Sequence, residues 1–595
     1  MKPIRLKSFL CLLLAILSAF SLMGCQGGEG EGNPTSSDTG TQAPAAETFL
    51  DLVVSGKTEY KIIYPEGASR DVMQAVSKLQ DTIKTYTGAK IRDDDDFLGH
   101  QDKVEPYEIL VGNTNRDESQ KHLQGMRYGE YTIAVEGTKL VLAAASDNAV
   151  TSAVNMFIKN VIRKDESLYK GCKDGTFRLS STYYLHQTGV FSINSCTVNG
   201  INLAQSRLIV PNKGALEYYF AKLIMLHLRT YTGYILPIVT DEDVASTSGG
   251  DILIGDTRFT TVSAPADSYR VEVTAKGVEI VSDSAYGYPE AYSCVCQRIF
   301  PGKSELNLTA GLSYTGEDYH PDDLEHIGDL RIMYHNIWGT LSDDERSYLG
   351  DRNALAKASY QAYAPDILCL QEASAKYRGA DKVLFNWLRS EYTEIFYSGS
   401  NAIYYKEDVV ELVEKGFSNE TPYDNGCVWA VFRLRADGTM FAVINVHFPS
   451  NWYSTDSEVT NHNRVLAAKN SVNALQSIRS KHPGIPVFHG GDYNTAVGTG
   501  PFLALNAAGL TNVRLLCSDV TEAGTCRGGT QKPQYMDEYD LFLLNNSVPA
   551  DVRGAIDHIT ALGDSFEIHR YHLLTDMIAL TSSDHIAHFI DVSFK

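Results

Sequence analysis

Six times between residues 330 and 595, a short apolar run of strand type stops on an amide, a carboxylate or an imidazole. Arg331–His335 stops at Asn336, and Pro365–Leu370 at Gln371-Glu372. Phe441–Val446 stops at His447, and Ile485–Phe488 runs through His489-Gly490-Gly491 to Asp492 and Asn494. Ala555-Ile556 stops at Asp557-His558, and Ser583-Asp584-His585 precedes the closing run Ile586–Val592. Helical patterns near 346–363 and 464–480 alternate with these runs. Such a pattern folds into sheets with helices outside. In an extended segment, residues two apart face the same side, so Asp492 and Asn494 address one spot past a buried strand. The glycines before them let a ligand or another backbone come close. Taken singly, each feature has a plain structural explanation. Gly-Gly-Asp is a turn, Glu372 a helix cap, Asp557 a turn residue and His447 a core histidine. Six polar strand ends in one domain read instead as one site.

These residues resemble the endonuclease/exonuclease/phosphatase superfamily. The likeness rests on Asn336, Leu370-Gln371-Glu372, Asn445-x-His447, Gly491-Asp492-x-Asn494, Ile556-Asp557 and Ser583-Asp584-His585. It implies an α/β (α+β) fold over 328–595, a four-layer α/β/β/α sandwich with the site at one edge. A phosphoester resists attack until charge is neutralised, water is aimed and the leaving oxygen is protonated. A hard cation on carboxylates suits the first task, so the implied cofactor is Mg2+ or Mn2+. The resemblance puts Glu372 on the metal, with Asn336 beside it and Asp584 as a further ligand. Asp492 and Asn494 orient the water. His585 acts as base or as a phosphate-stabilising cation, with Asp557 holding its imidazole. His447 binds phosphate or assists the leaving group. Asn445 supports the turn to His447 and is placed with Trp452 among substrate contacts; Trp452 equally suits packing. His558 is expected to point away from Asp557 and fill space.

The chain of 595 residues is too long for one core and predicts about three or four domains. A formal net charge of −21 disfavours nonspecific binding to nucleic acid or anionic membrane. Lys2, Arg5 and Lys7 precede an apolar run, Phe9–Leu22, and Leu22-Met23-Gly24-Cys25 resembles the lipobox of bacterial lipoproteins. Residues 1–24 are therefore expected to be a signal peptide, Cys25 the lipid attachment point, and 25–47 a flexible tether rich in Gly, Ser, Thr, Pro and acids. No later segment is long and apolar enough to span a bilayer. The expected location is extracytoplasmic and lipid-anchored, where disulfides are permitted. Cys517 and Cys526 bracket a short polar loop and are the expected pair, while Cys369 reads as a buried thiol.

Residues 48–165 and 188–302 each read as strand, helix, strand, hairpin, helix. They share the string Thr-Tyr-Thr-Gly, at 85–88 and 230–233. A duplicated α/β module follows. It resembles the small α/β domain in front of β-hexosaminidase and α-glucuronidase barrels. The acidic runs Asp93–Asp96 and Asp241–Asp243 read as solvated turns.

The expected activity is metal-assisted hydrolysis of a phosphodiester or phosphomonoester. Residues 330–595 contain more acids than bases, and no basic cluster lies near the motif loops. Nucleic acid is therefore less favoured than a small molecule, a lipid head group or a glycan-linked phosphoester. The alternatives are a secreted nuclease of the same fold, and a non-catalytic surface lipoprotein that binds glycan or cell wall.

Overall fold

In the computed structural model the described residues are 48–97, 104–162, 175–318, 325–338, 352–373, 383–396, 400–418, 426–450, 457–521, 523–526 and 555–595. The expected signal peptide and tether, Cys25 and Trp452 lie outside them. Among the described residues no helix is long and apolar enough to cross a membrane.

Two six-stranded sheets come first, and their strand order is the same. One runs Arg92–Asp95, Lys61–Tyr64, Glu108–Val111, Lys139–Ala144, Tyr131–Glu136, Tyr184–Gln187. The other runs Ile238–Thr240, Leu208–Val210, Asp251–Ile254, Gly277–Ser282, Ser268–Thr274, Ser313–Glu317. In each, the first three pairings are parallel and the last two antiparallel. Each sheet takes its last strand from beyond the repeat read in the sequence.

The shared Thr-Tyr-Thr-Gly string has a local cause. It ends the helices Arg70–Thr87 and Leu216–Thr232. Gly88 and Gly233 both sit at φ 74°, and each closes its helix by donating to a carbonyl four residues back. That left-handed cap suits glycine. The threonine before each glycine returns its hydroxyl to Ile83 O and Leu228 O respectively.

The acidic run at 93–96 is not a turn. Arg92–Asp95 is an edge strand beside Lys61–Tyr64, and Lys61 pairs with Asp94. Asp96 is buried and accepts from the backbone N–H groups of Glu66 and Asn115, both at 2.7 Å. An edge strand with one wet face tolerates acids that a central strand would not.

From residue 330 two facing sheets form the second half of the chain. The first contains β1 (Leu330–Asn336), β2 (Ile367–Gln371), β3 (Thr393–Phe396) and β4 (Ala402–Tyr405). The second contains β5 (Val410–Ser418), β6 (Cys427–Leu434), β7 (Met440–His447), β8 (Val487–Asp492) and β9 (Thr511–Asn512). The chain then returns to the first with β10 (Asp519–Val520), to the second with β11 (Asp557–Leu562), and to the first with β12 (Phe566–Leu573) and β13 (His588–Phe594). The strand orders are β3-β4-β2-β1-β13-β12-β10 and β5-β6-β7-β8-β11-β9.

Residue parity sorts the side chains into layers. Leu330, Ile332 and Tyr334 of β1 meet Phe432, Val443 and Phe488 in the core between the sheets. Met333, Leu368 and Leu370 face the other way, toward α1 (Asn353–Tyr363), α2 (Val383–Glu391) and the short α5 (Met577–Ser582). Trp429, Ile444 and Val446 lie beneath α3 (Ser457–Lys481) and α4 (Gly500–Ala507). The result is helix, sheet, sheet, helix. The outer α1/α2/α5 layer shares one apolar cluster with Tyr219 and Phe220 of the second module, and the Tyr219 hydroxyl donates to Thr581 Oγ1 at 3.1 Å.

Arg331 is fully buried on the outward parity of β1. Its guanidinium forms a fork with Asp591, Nε to Oδ1 at 2.7 Å and a second nitrogen to Oδ2 at 2.8 Å. It also donates to the carbonyls of Tyr363 and Glu325. Removing one partner leaves the other charge buried alone. Asp591→Ala is expected to lower stability by about 3–5 kcal/mol, read from the denaturant midpoint at unchanged slope.

Cys517 and Cys526 are not bridged. The segment between them is not a closed loop. Asp519–Val520 joins the edge of the first sheet, and Cys526 pairs with His585 as an isolated bridge. Cys517 therefore lies before that edge strand and Cys526 after it, at the bridge to His585. Cys369 is fully buried, as its apolar strand implies.

Candidate active site

The inward parity that builds the core also builds the site. On β1, the step after Tyr334 is Asn336. On β7 it runs Val443, Asn445, His447, and on β8 Phe488, Gly490, Asp492. His447, Asp492 and Asp557 are paired rungs on β7, β8 and β11. Asn336 and Gln371 are paired on β1 and β2. The polar strand ends therefore form the lip of the inter-sheet core. Gly491 makes this close approach sterically feasible. It lies at φ 133°, and a Cβ there would meet the Val446 carbonyl oxygen at 2.0 Å.

Asn336 ties the two sheets together at this lip. Its Nδ2 donates to Glu372 Oε1 at 3.2 Å and to Asp492 Oδ2 at 3.0 Å, while its oxygen accepts from Trp338 N at 3.0 Å. Asn336 is thus a bridge between two carboxylates, with its oxygen turned to the backbone. Asp492 also accepts from Asn494, from the backbone N–H at 2.7 Å and from Nδ2 at 3.2 Å. Asn494 Nδ2 further holds Phe448 O at 2.9 Å. His447 Nε2 lies 3.5 Å from Asp492 Oδ2. Trp338, Glu372 and Asn494 all have left-handed backbones, at φ 51°, 59° and 51°. For residues other than glycine this costs on the order of 1 kcal/mol or more each, and such strain gathers where side chains must be aimed.

Across Asp492 stands a second pair. His585 Nδ1 is 3.0 Å from both oxygens of Asp557, and its Nε2 is 3.9 Å from Asp492 Oδ2. Thr525 donates its hydroxyl to Asp557 Oδ2 at 2.7 Å and accepts from Asp557 N at 2.9 Å. Burial disfavours a charged imidazole, but Asp557, Cys526 and Asp492 outweigh it, and His585 titrates well above the ordinary histidine value. Burial, with the nearby Asp492 charge, raises the Asp557 carboxyl above its usual range. Asp557→Asn removes the nearest counter-charge, so the His585 imidazole is expected to titrate lower. An NMR titration of ring nitrogens in the two proteins reads this directly. The sign for stability follows. The His585 contribution is fully present below the unfolded imidazole value and is lost as pH rises through the higher folded value. Asp557→Asn should flatten that dependence.

The other sequence candidates separate. Asp584 is half-buried, one residue beyond Ser583, whose hydroxyl holds Asn336 O at 2.7 Å. Asn445 is fully buried and gives both amide hydrogens to Leu370 O and Ala402 O, while its oxygen accepts from Gln371 Nε2. It joins the sheets beneath the site instead of reaching substrate. His558 faces outward by parity, against Phe502 and Tyr493, with Nε2 on Thr495 O; burial lowers it to about 4. Thr525 and Arg352 were not legible as site residues, because neither lies on a strand-type run.

The donor set fits a hard divalent cation. Glu372 and Asp492 present carboxylate oxygens on either side of Asn336, and hard cations favour oxygen ligands. Asp492, Asp557 and His585 also offer ligand atoms within 4.8 Å of one another. The His585 ring is engaged by Asp557 through Nδ1, so Glu372 beside Asn336 and the Asp492/Asp557/His585 trio are two places where a cation would find carboxylate oxygens.

Residues 333–585 match the model of the Endonuclease/Exonuclease/phosphatase family. Among solved structures, the chain is similar to an Enterococcus faecalis conserved protein of unknown function, at 18% identity over 45% of this chain and 100% of that one, with a TM-score of 0.35. A Bacteroides thetaiotaomicron endonuclease/exonuclease/phosphatase family protein shares 20% identity over 45% of this chain and 95% of that one, TM-score 0.35. A mannosyl-6-phosphatase from the same organism shares 20% identity over 44% and 100%, TM-score 0.33. No curated protein matches the sequence.

Proposed function

We propose that this chain is a divalent-metal-dependent phosphoesterase, a reading supported by the match of residues 333–585 to the Endonuclease/Exonuclease/phosphatase family model. It acts outside the cytoplasm from a lipid anchor on Cys25 and cleaves a phosphodiester or phosphomonoester by in-line attack of water. The single observation that supports this most is the position of Asp492, between the Asn336–Glu372 bridge and the Asp557–His585 pair.

Glu372 holds Mg2+ or Mn2+ in this reading, with Asp584 as a further ligand. When bound, the cation neutralises phosphate charge and polarises the phosphorus. The remaining work falls to the protein. Asp492 orients the attacking water, and Asn494 fixes the carboxylate through its backbone N–H and amide. Asp557 and Asp492 raise His585 above the ordinary histidine value against the opposing effect of burial, which favours the ring as the cation facing the phosphate oxygens, with Asp492 taking the water proton. Asp557 fixes the ring and supports its charge. His447, across Asp492, assists phosphate or the leaving group.

The net charge of −21 and the excess of acids over bases in residues 330–595 favour a small, lipid-head-group or glycan-linked substrate over DNA. The test is a substrate panel with magnesium or manganese: an aryl phosphodiester, a sugar phosphate, sphingomyelin and plasmid DNA. Turnover of one of the first three supports the reading. Efficient, salt-sensitive cleavage of DNA alone would replace it with a nuclease.

A further inference from the structure

Two separate loops must meet for the site to exist. One leaves β1 at its last residue, Asn336, and carries Ile337 and Trp338. The other follows α5 and carries Ser583, Asp584 and His585. Among the described residues, one buried guanidinium joins them. Arg352, at the start of α1, donates one nitrogen to Ile337 O at 3.1 Å and Ser582 O at 2.9 Å, and a second to Trp338 O at 2.9 Å. Its guanidinium carbon lies 4.9 Å from the centre of the Trp338 ring. Arg352 is 6% exposed.

The contacts bear on the site through short links. Trp338 N holds the Asn336 oxygen, which turns the Asn336 amide toward Glu372 and Asp492. Ser583 Oγ holds Asn336 O from the other loop and also accepts from His585 N at 3.2 Å. Carbonyls at the end of a helix and in a left-handed turn carry partial negative charge, and a planar fork satisfies several at once where an ammonium has a different geometry. Three carbonyls and an aromatic face meet this buried cation.

We propose that Arg352 is a positioning residue that sets the spacing between the Asn336 loop and the Ser583–His585 loop, without touching substrate. This rests on the phosphoesterase reading of the same site. Removing a group that orients direct participants commonly lowers activity about 10–100-fold. The effect should fall on kcat with KM little changed, since no substrate contact is lost.

The test compares the full chain with Arg352→Ala and Arg352→Lys, with and without added guanidinium ion at concentrations below those that unfold the wild type. The expected result is a kcat loss of about 10–100-fold in Arg352→Ala, a partial loss in Arg352→Lys, and recovery of Arg352→Ala by guanidinium but not by ammonium. Hydrogen exchange is measured alongside, on peptides covering 336–338 and 582–586. Faster exchange in both peptides of Arg352→Ala, slowed again by guanidinium, is expected whether or not the assay substrate is turned over. Unchanged kcat and unchanged exchange would overturn the proposal. So would a loss that guanidinium does not restore while exchange rises throughout the domain, which marks general unfolding. If Arg352→Ala does not fold, Arg352→Lys decides: wild-type kcat and local exchange contradict the role. A wild type that turns over no substrate yet shows the local, reversible exchange effect refutes the activity and leaves the clamp standing.

Discussion

His585→Ala should lower kcat/KM by about 10³–10⁴-fold without unfolding the protein. The reasoning is local. His585 is held by the Asp557 carboxylate at 3.0 Å through Nδ1 and turned toward Asp492 through Nε2. Deleting the ring removes a cation facing the phosphate and leaves Asp557 buried without its counter-charge. The second consequence complicates the first, because a lone buried carboxylate destabilises. The double variant His585→Ala/Asp557→Asn separates them. It should recover stability and remain inactive. The pH profile carries the sign. If protonated His585 is the working form, activity persists through neutral pH and falls on the alkaline side as the raised imidazole deprotonates. A general base would give the opposite limb, with activity rising only as the proton leaves. Steady-state rates of a phosphoester substrate between acid and alkaline pH distinguish the two.

Glu372→Gln should cost at least about 10³-fold in kcat at ordinary magnesium, with partial recovery at high magnesium. Glu372 is half-buried at the end of β2, is held at φ 59°, and accepts a 3.2 Å hydrogen bond from Asn336 on Oε1. A carboxylate aimed by a strained backbone, beside a second carboxylate on the same amide, is suited to metal. The glutamine keeps shape and removes charge, so fold should survive. Calorimetric titration with magnesium or manganese provides a readout independent of turnover. The wild type should bind, and Glu372→Gln should bind more weakly by an order of magnitude or more. Equal affinity in both would place the metal elsewhere, the Asp492/Asp557/His585 trio being the next site to test.

Much of this site is visible before folding, for a simple reason. Its residues sit at strand ends, and strand parity has period two, so Tyr334 in the core implies Asn336 at the lip, and Phe488 implies Asp492. The same parity forecasts that His558 faces away from Asp557. What periodicity does not carry is everything reached by a long side chain from elsewhere. Arg352 begins a helix, and Thr525 lies in a segment with no strand pattern, yet both orient the site. Asn445 shows the limit from the other side. Its two-residue spacing from His447 makes it look like a partner at the turn, but one rung deeper is already inside the core, where its amide joins the sheets. Acidic residues 93–96 misled because composition suggests a turn, while parallel pairing with Lys61–Tyr64 makes an edge strand. The cysteines at 517 and 526 misled because nearness in sequence gave no sign that the edge strand Asp519–Val520 lies between them and that Cys526 bridges to His585.

The measurement that bears most directly on the central claim is the initial rate of aryl phosphodiester hydrolysis by the full chain, in three parallel arms. One has magnesium, one has excess chelator, and one is His585→Ala with magnesium. The account predicts turnover in the first arm alone, with chelation reversed by added metal. Turnover that survives both chelator and the His585 substitution would contradict it, because the chemistry would then lie outside the lip where β1, β2, β7, β8 and β11 converge.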